Sequence, residues 1–368
     1  MTEKKTVAVL FGGQSGEHEV SLVSARAVID ALDPAKYQAL PVGITREGRW
    51  IAGPGAMPAL LAQADRAKLP GGAGAANEAA EAQQETALAT SEFSILNSQS
   101  SIDVVFPVLH GPMGEDGTVQ GLLELAGVPY VGCGVLASAV GMDKALMKAA
   151  FASAGLPLLP WLLLRRAELE ADVDAACARV EEQLAYPVFV KPANMGSSVG
   201  ITKARDRQQL VAGLHEAARY DRRIVVEQGI AAREIEISVL GNDDPVASVP
   251  GEVVPSGEWY DYAAKYIDGQ SQIQIPAPIS AGQAQEVAEL ALRAYAAIDC
   301  AGLARVDFLL DKERGDLFLN EVNTMPGFTS VSMYAKMWEA SGTSYAELLD
   351  RLIALAIERA KGKGHRER

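Results

Sequence analysis

Polar and apolar residues alternate along Arg305-Val306-Asp307-Phe308-Leu309-Leu310 and, less cleanly, along Phe318-Leu319-Asn320-Glu321-Val322-Asn323. A period of two marks a half-buried strand. The intervening Asp311-Lys312-Glu313-Arg314-Gly315-Asp316 is charged and holds a glycine, so the pattern predicts a β-hairpin. Residues two apart on a strand share a face, which sets Arg305 beside Asp307 and Glu321 beside Asn323. A register centred near Arg314 brings Asp307 opposite Glu321. Elsewhere, short apolar runs predict strands over 7–11, 102–109, 128–132, 161–164, 188–192, 224–230, 234–240 and 246–254. Helical patterns cover 21–32, 118–126, 142–154, 167–184, 281–298 and 345–360. Strands and helices in alternation predict an α/β protein.

The joints between these elements carry the candidate chemistry. Asp307, Glu321 and Asn323 form an oxygen-ligand set suited to Mg²⁺, which usually shares its shell with water and substrate phosphates. The alternative is an exposed, salt-bridged face with Arg305 as the partner. The strand over 188–192 delivers Lys191 and opens into Ala193-Asn194-Met195-Gly196-Ser197-Ser198-Val199-Gly200. Backbone N–H groups and hydroxyls in such a loop can cradle phosphate oxygens, with the lysine as a point charge. The lysine precedes the glycines, unlike a P-loop, and an ordinary surface loop is the competing reading. The strand over 224–230 ends at Glu227-Gln228-Gly229-Ile230 with Glu234 beyond, a set able to meet an adenine edge and a ribose diol. At 7–20, a strand, the Gly12-Gly13 turn and a helix start predict a doubly wound opening domain, without the spacing of a dinucleotide fingerprint. The segment 53–89 is rich in Ala, Gly, Pro and Gln and is expected to be an insertion, partly helical or mobile, without chemistry.

Composition narrows the class. At 368 residues the chain exceeds one ordinary core, and its 49% apolar content supplies two or three. No apolar run approaches the ~20 residues that span a bilayer. The opening residues read as a first strand rather than a signal peptide. Three distant cysteines and four histidines show no metal spacing, so reduced thiols and no zinc are expected. A net charge of −14 disfavours a general nucleic-acid binder, which would need a basic stripe. The basic run from Lys361 to Arg368 is read as a solvated tail.

Taken in order, several motifs resemble the ATP-grasp ligases and, more narrowly, the D-alanine–D-alanine ligase family. They are Gly12-Gly13 with Glu17-His18-Glu19-Val20-Ser21, the loop from His110-Gly111 to Gly117, Met142-Asp143-Lys144, and Lys191-Pro192 through Gly200. Tyr260-Asp261-Tyr262 with Lys265-Tyr266, Arg305-Val306-Asp307, and Glu321 through Gly327 complete the series. The resemblance spans nearly the whole chain apart from 53–89 and the basic tail. It implies a three-domain α/β ATP-grasp architecture. Residues 1–141 would be an N-terminal doubly wound substrate-binding domain, 142–232 a central ATP-grasp subdomain, and 233–368 a C-terminal subdomain with the metal site and a lid loop over 258–266.

The resemblance also implies an activity: ATP phosphorylates the carboxylate of one D-alanine, and the amine of a second attacks the acyl phosphate. On this reading Asp307, Glu321 and Asn323 hold two Mg²⁺ ions, for which Mn²⁺ can substitute. Lys144, Lys191 and Lys265 surround the phosphates. Glu227, Gln228, Ile230 and Glu234 hold the nucleoside, with Ser198 and Asn320 as further nucleotide contacts. Gln228 stands where many relatives have a lysine. Glu17 binds the first ammonium, Ser332 and the backbone at Met333 the second carboxylate, and Arg305 with the Gly327 N–H the oxyanion. Ser197 and Tyr266 link to Glu17, and His110 lines the pocket. Cytoplasmic location, a homodimer, and no membrane or nucleic-acid partner are implied. The competing readings are a D-alanine–D-lactate ligase, with Tyr266 as the discriminating position, and a catalytically silent nucleotide-binding protein, against which the complete set of charged residues speaks.

Overall fold

The structure, a computed structural model, describes residues 4–67, 102–254 and 272–362. Most of the 53–89 segment, the 258–266 loop with Tyr260, Tyr262, Lys265 and Tyr266, and residues 363–368 lie outside the described residues.

The first sheet joins β1 (Lys5–Gly12), β2 (Tyr37–Ile44), β3 (Trp50–Ala52) and β4 (Val104–Pro107) in the order β3-β2-β1-β4. β1 runs parallel to β2 and β4, and β3 is an antiparallel edge. Val7, Val9 and Phe11 pack with Leu22, Ala25 and Val28 of the helix His18–Ala31, while Ala8 and Leu10 pack with Val119 and Leu123 of the helix Thr118–Ala126. Helices on both faces make this the expected doubly wound unit. β2 was not visible in the sequence because Pro41 interrupts it; β3 pairs only with residues from Val42 onward, so the missing N–H falls outside that ladder. The stretch 128–132 contributes one parallel bridge, Tyr130 to Val105, rather than a strand. Gly12 ends β1 at φ +90°, where a Cβ would lie 2.2 Å from the Ile44 carbonyl oxygen, so only glycine makes this turn.

The start of the expected insertion is helical and packs into the core. The helix Ala56–Ala67 places Leu60, fully buried, against the β1 and β2 core.

The second sheet contains β5 (Trp161–Arg165), β6 (Val188–Pro192), β7 (Thr202–Ala204) and β8 (Arg223–Gln228), in the antiparallel order β5-β8-β6-β7. Val188, Val190, Ile224 and Val226 form a core with the helices Val173–Gln183 and Arg207–Tyr220. Phe189, Lys191 and Glu227 therefore fall on the other face. The single helix expected over 167–184 is two, Arg166–Ala171 and Val173–Gln183. Asp172 separates them as an N-cap, accepting from the Ala175 N–H at 2.9 Å.

The third sheet has the order β12-β11-β9-β13-β14, built from β9 (Ala232–Gly241), β11 (Gly251–Val254), β12 (Gln272–Gln274), β13 (Gly302–Asp311) and β14 (Leu317–Asn323), with the short β10 (Val246–Ala247) also on β9. One strand was expected over 246–254. Two form instead, because Pro250 lacks the N–H a continuous ladder needs. Ile235, Ile237, Val306 and Phe308 pack on the helices Ala281–Ala297 and Lys144–Ser153. The intervening positions turn charged side chains to the opposite face.

The hairpin register is as the pattern predicts: Asp307 pairs with Glu321 and Arg305 with Asn323. Beyond Asp307 the register shifts, and Phe308 pairs with Leu319, leaving Asn320 as an extra residue. This bulge puts Asn320 and Glu321, sequence neighbours, on one face between the buried Leu319 and Val322. It accounts for the broken alternation of that strand.

The helix Tyr345–Gly362 inserts Leu348, Leu352 and Ile353 into the same apolar cluster as Val7 and Val9, tying the third unit to the first. Cys133, Cys177 and Cys300 are buried free thiols. Among the described residues no helix is long and apolar enough to cross a membrane.

Leu60→Ala should lower unfolding stability by about 2–5 kcal/mol, as for other fully buried leucines. A denaturation midpoint equal to that of the unmodified chain would show that Ala56–Ala67 is not part of the core.

Candidate active site

The charged face of the third sheet and the Lys191 face of the second enclose a cavity of about 410 Å³. A second cavity of about 500 Å³ opens where the loops of the first sheet meet the third. The two share Lys144, Ser198, Ile201, Glu236, Arg305 and Glu321 in their walls.

Glu17 ends the turn that begins at Gly12, directly before the helix His18–Ala31, and its carboxylate accepts from the Ser197 hydroxyl. That bond spans the first unit and the Gly/Ser loop. Gly111, at φ +78°, passes so close that a Cβ would lie 2.9 Å from Glu17 Oε2. Ser197 and Ser198 both take left-handed backbone, at φ +49° and +59°. Such conformations are uncommon for residues with a side chain, and consecutive ones imply a loop held in shape by its surroundings.

His110 is buried beside them. Ser24 Oγ lies 3.2 Å from its Nε2, and Glu115 Oε1 lies 3.5 Å from its Nδ1. Burial opposes the imidazolium, but the Glu115 carboxylate and the nearby Glu17 outweigh it and raise the histidine above its ordinary range.

Lys144 reaches the site through helix capping. Asp143 accepts from the N–H groups of Ala145 (3.1 Å) and Leu146 (2.9 Å), which fixes the first turn of Lys144–Ser153. Lys144 Nζ donates to the Met195 carbonyl at 2.8 Å and stands 3.8 Å from Glu321 Oε2. One turn on, the same helix face supplies Lys148, buried and paired with Glu227. Glu227 also accepts from Lys191 Nζ at 2.6 Å. Burial alone would push its carboxyl up; Lys148 and Lys191 reverse this and hold it at about 2. The carboxylate expected to meet a nucleoside is therefore engaged by two ammonium groups.

On the third sheet, Arg305 donates through Nε to Asp307 Oδ1 and through its terminal nitrogen to Oδ2, both at 2.7 Å. Asn323 Nδ2 donates to Asp307 Oδ2 at 2.9 Å. Arg305 Nε is also 3.0 Å from Glu236 Oε2. The expected metal set thus gathers on one face, two carboxylates opposite each other and an amide beside one of them, with both Asp307 oxygens taken up by Arg305 and Asn323. A divalent cation suits such donors, whose charge is now offset by Arg305 and Lys144.

The remaining expected residues divide between the cavities. Gln228, Ile230, Glu234 and Asn320 line the smaller one, and Gly327, Ser332 and Met333 the larger. The Gln228 side chain is committed to the backbone of Ala185, accepting at 2.9 Å and donating at 2.8 Å, and its own N–H bonds the Pro160 carbonyl. Ser332 Oγ accepts from the Thr329 N–H at 3.0 Å, at the start of the helix Met333–Ala340. Lys265 and Tyr266 lie outside the described residues. Sequence reasoning passed over Glu115, Lys148 and Glu236. Glu236 was within reach, since it continues the every-second-residue face begun at Glu234.

The family profile described as D-ala D-ala ligase N-terminus matches residues 6–133, and that described as D-ala D-ala ligase C-terminus matches 150–354. The chain belongs to the D-alanine–D-alanine ligase family. It is 53% identical over 361 residues to the D-alanine–D-alanine ligase of Heliobacterium modesticaldum, covering 98% of this chain and 96% of that one. It is 48% identical over 366 residues to that of Acetivibrio thermocellus, covering 98% and 97%. Among solved structures, the D-alanine–D-alanine ligase from Coxiella burnetii superposes with a TM-score of 0.81 at 35% identity, covering 98% of this chain and 96% of that chain. The VanG D-Ala:D-Ser ligase from Enterococcus faecalis gives 0.81 at 36%, covering 96% and 100%. The architecture is accordingly that of an ATP-grasp ligase, a doubly wound unit followed by two sheets facing each other across a cleft.

In this family member the Glu227 cluster makes stability depend on pH. A carboxyl depressed from 4.5 to about 2 contributes stability that is fully present above the unfolded value and is lost as pH falls toward 2. Glu227→Gln should cost about 3–5 kcal/mol at pH 7, since it leaves buried lysines uncompensated. Urea titrations should show this gap constant above pH 5 and narrowing below 4.5. A gap that widens on acidification would contradict the assignment.

Proposed function

We propose that the chain joins two D-alanine molecules into D-alanyl-D-alanine, converting ATP to ADP and phosphate and supplying a peptidoglycan precursor. The observation that carries this reading is the meeting of the two cavities at Lys144, Ser198, Arg305, Glu236 and Glu321. A phosphoryl group passing from a nucleotide in one cavity to a carboxylate in the other must cross that junction. Charge of both signs there suits a transfer in which the protein chiefly positions and neutralises.

Adenine and ribose occupy the smaller cavity, against the backbone at Gln228 and Ile230 and the Glu234 carboxylate, with Asn320 alongside. Lys144, Lys191, Lys265 and the 193–200 loop surround the phosphates, with Ser198 at the junction. Asp307, Glu321 and Asn323 would hold two Mg²⁺ ions, or Mn²⁺ in their place, whose charge offsets that of the phosphates. The first D-alanine places its ammonium at Glu17 and its carboxylate at the junction. That carboxylate attacks the γ-phosphorus, and ADP leaves. The second D-alanine binds its carboxylate at Ser332 and the helix start at Met333, where backbone N–H groups favour an anion. Its free amine attacks the acyl carbon. Arg305 and the Gly327 N–H stabilise the tetrahedral oxyanion, and phosphate leaves as the amide forms. Ser197 and Tyr266 fix Glu17, and His110 closes the wall behind it.

The working division is 1–141 for substrate, 142–232 for nucleotide and 233–368 for metal and acceptor. The enzyme acts as a cytoplasmic homodimer.

Phosphate release from ATP should require D-alanine and yield the dipeptide, with D-serine and D-lactate poorer acceptors. ATP turnover indifferent to D-alanine would sink the reading. Glu321→Gln should fold normally yet lose on the order of a hundred- to a thousandfold in kcat, because charge compensation disappears where phosphate charge develops. Near-normal turnover by a folded Glu321→Gln protein would remove this residue from the metal set.

A further inference from the structure

Glu236 is assigned no contact with substrate or metal in the steps above, yet it lines both cavities where they meet. It stands opposite Asp307 in the β9–β13 register and is 4% exposed. Arg305 Nε is 3.0 Å from Glu236 Oε2 and 2.7 Å from Asp307 Oδ1, so one guanidinium is set between two carboxylates. Asp307 also receives the second Arg305 nitrogen and Asn323. These claims conflict with its role as a metal ligand. A carboxylate that turns its lone pairs to a divalent ion weakens its hold on the arginine. A buried guanidinium left without an anion would be destabilised and free to shift from the oxyanion it must meet.

We propose that Glu236 is a positioning residue, the second anchor that holds Arg305 at the junction of the cavities when Asp307 turns to the metal. Two consequences follow from the geometry. Without the Glu236 charge, Asp307 is, among the described residues, the carboxylate left in direct contact with Arg305, and the arginine competes with the cation for it. When the cation does bind, the guanidinium lacks its fixed partner on β9. The same carboxylate therefore assists metal binding and keeps Arg305 aimed at the reacting carbon. This inference rests on the ligase reading, and its test separates the two.

Calorimetry with the full chain and β,γ-imido-ATP gives the Mg²⁺ concentration for half-maximal nucleotide binding, with no turnover involved. Partners that orient a metal ligand commonly contribute about 10–100-fold in metal affinity. Glu236→Gln should raise the half-maximal Mg²⁺ by that factor and lower kcat, while KM for ATP at saturating Mg²⁺ stays near normal; Glu236→Asp should recover part of both. An unchanged Mg²⁺ midpoint in folded Glu236→Gln, even with reduced thermal stability, overturns the proposal. The unmodified enzyme gives an independent answer. A crystal structure with Mg²⁺ and β,γ-imido-ATP should keep Arg305 on Glu236 and release it from Asp307, and an arginine still bidentate on Asp307 overturns the proposal. If the unmodified chain binds the analogue but makes no dipeptide, the ligase reading falls, and the Mg²⁺ shift still decides the role of Glu236.

Discussion

Arg305 and Asp307 lie two residues apart on one strand and clasp each other through two hydrogen bonds of 2.7 Å. That pair constrains everything around it. Both side chains are largely buried, and their charges must be balanced within the protein. Glu236 answers Arg305 from the neighbouring strand on one side, and Asn323 answers Asp307 from the other. Glu321, opposite Asp307, faces Lys144 from a helix of another element. A group of charges so interlocked is costly to bury and loses much if one member is removed. It is a poor way to build stability and a good way to hold donors and acceptors still.

The scaffold delivers these groups by ordinary means. Core-facing residues of β9 and β13 alternate with cleft-facing ones, so the packing that buries Ile235, Ile237, Val306 and Phe308 also fixes the direction of Glu236, Arg305 and Asp307. The cap at Asp143 starts a helix whose successive turns present Lys144 to one carboxylate and Lys148 to another. Glu17 is set by a turn only glycine can make, and its bond to Ser197 ties the first unit to the Gly/Ser loop. Each positioning element can be traced to a particular local rule.

Much of this was legible in the sequence because strand periodicity is simple. The hairpin pattern predicted the register of Asp307 with Glu321, and the glycine turn predicted the doubly wound opening. What escaped depended on neighbours the local pattern does not record. The bulge at Asn320 blurred the alternation that revealed the hairpin. β2 hid behind Pro41, whose lost N–H matters only in a ladder the chain does not build there. Leu60 lies in an alanine-rich stretch that reads as an insertion, and its burial depends on the sheet beneath it. Lys148 and Glu236 carry charges that composition alone reads as surface. Their meaning comes from partners 79 and 69 positions away, Glu227 and Arg305, on other elements.

In the proposed function a substrate carboxylate oxygen attacks phosphorus at the junction of the two cavities. D-alanine labelled with ¹⁸O in its carboxyl group tests this directly, by mass analysis of the phosphate released during dipeptide synthesis. Each phosphate should carry one labelled oxygen, because the oxygen that accepted the phosphoryl group departs with it. Phosphate carrying only unlabelled oxygen would mean that water, not the substrate carboxylate, receives the phosphoryl group, and would rule out the acyl phosphate.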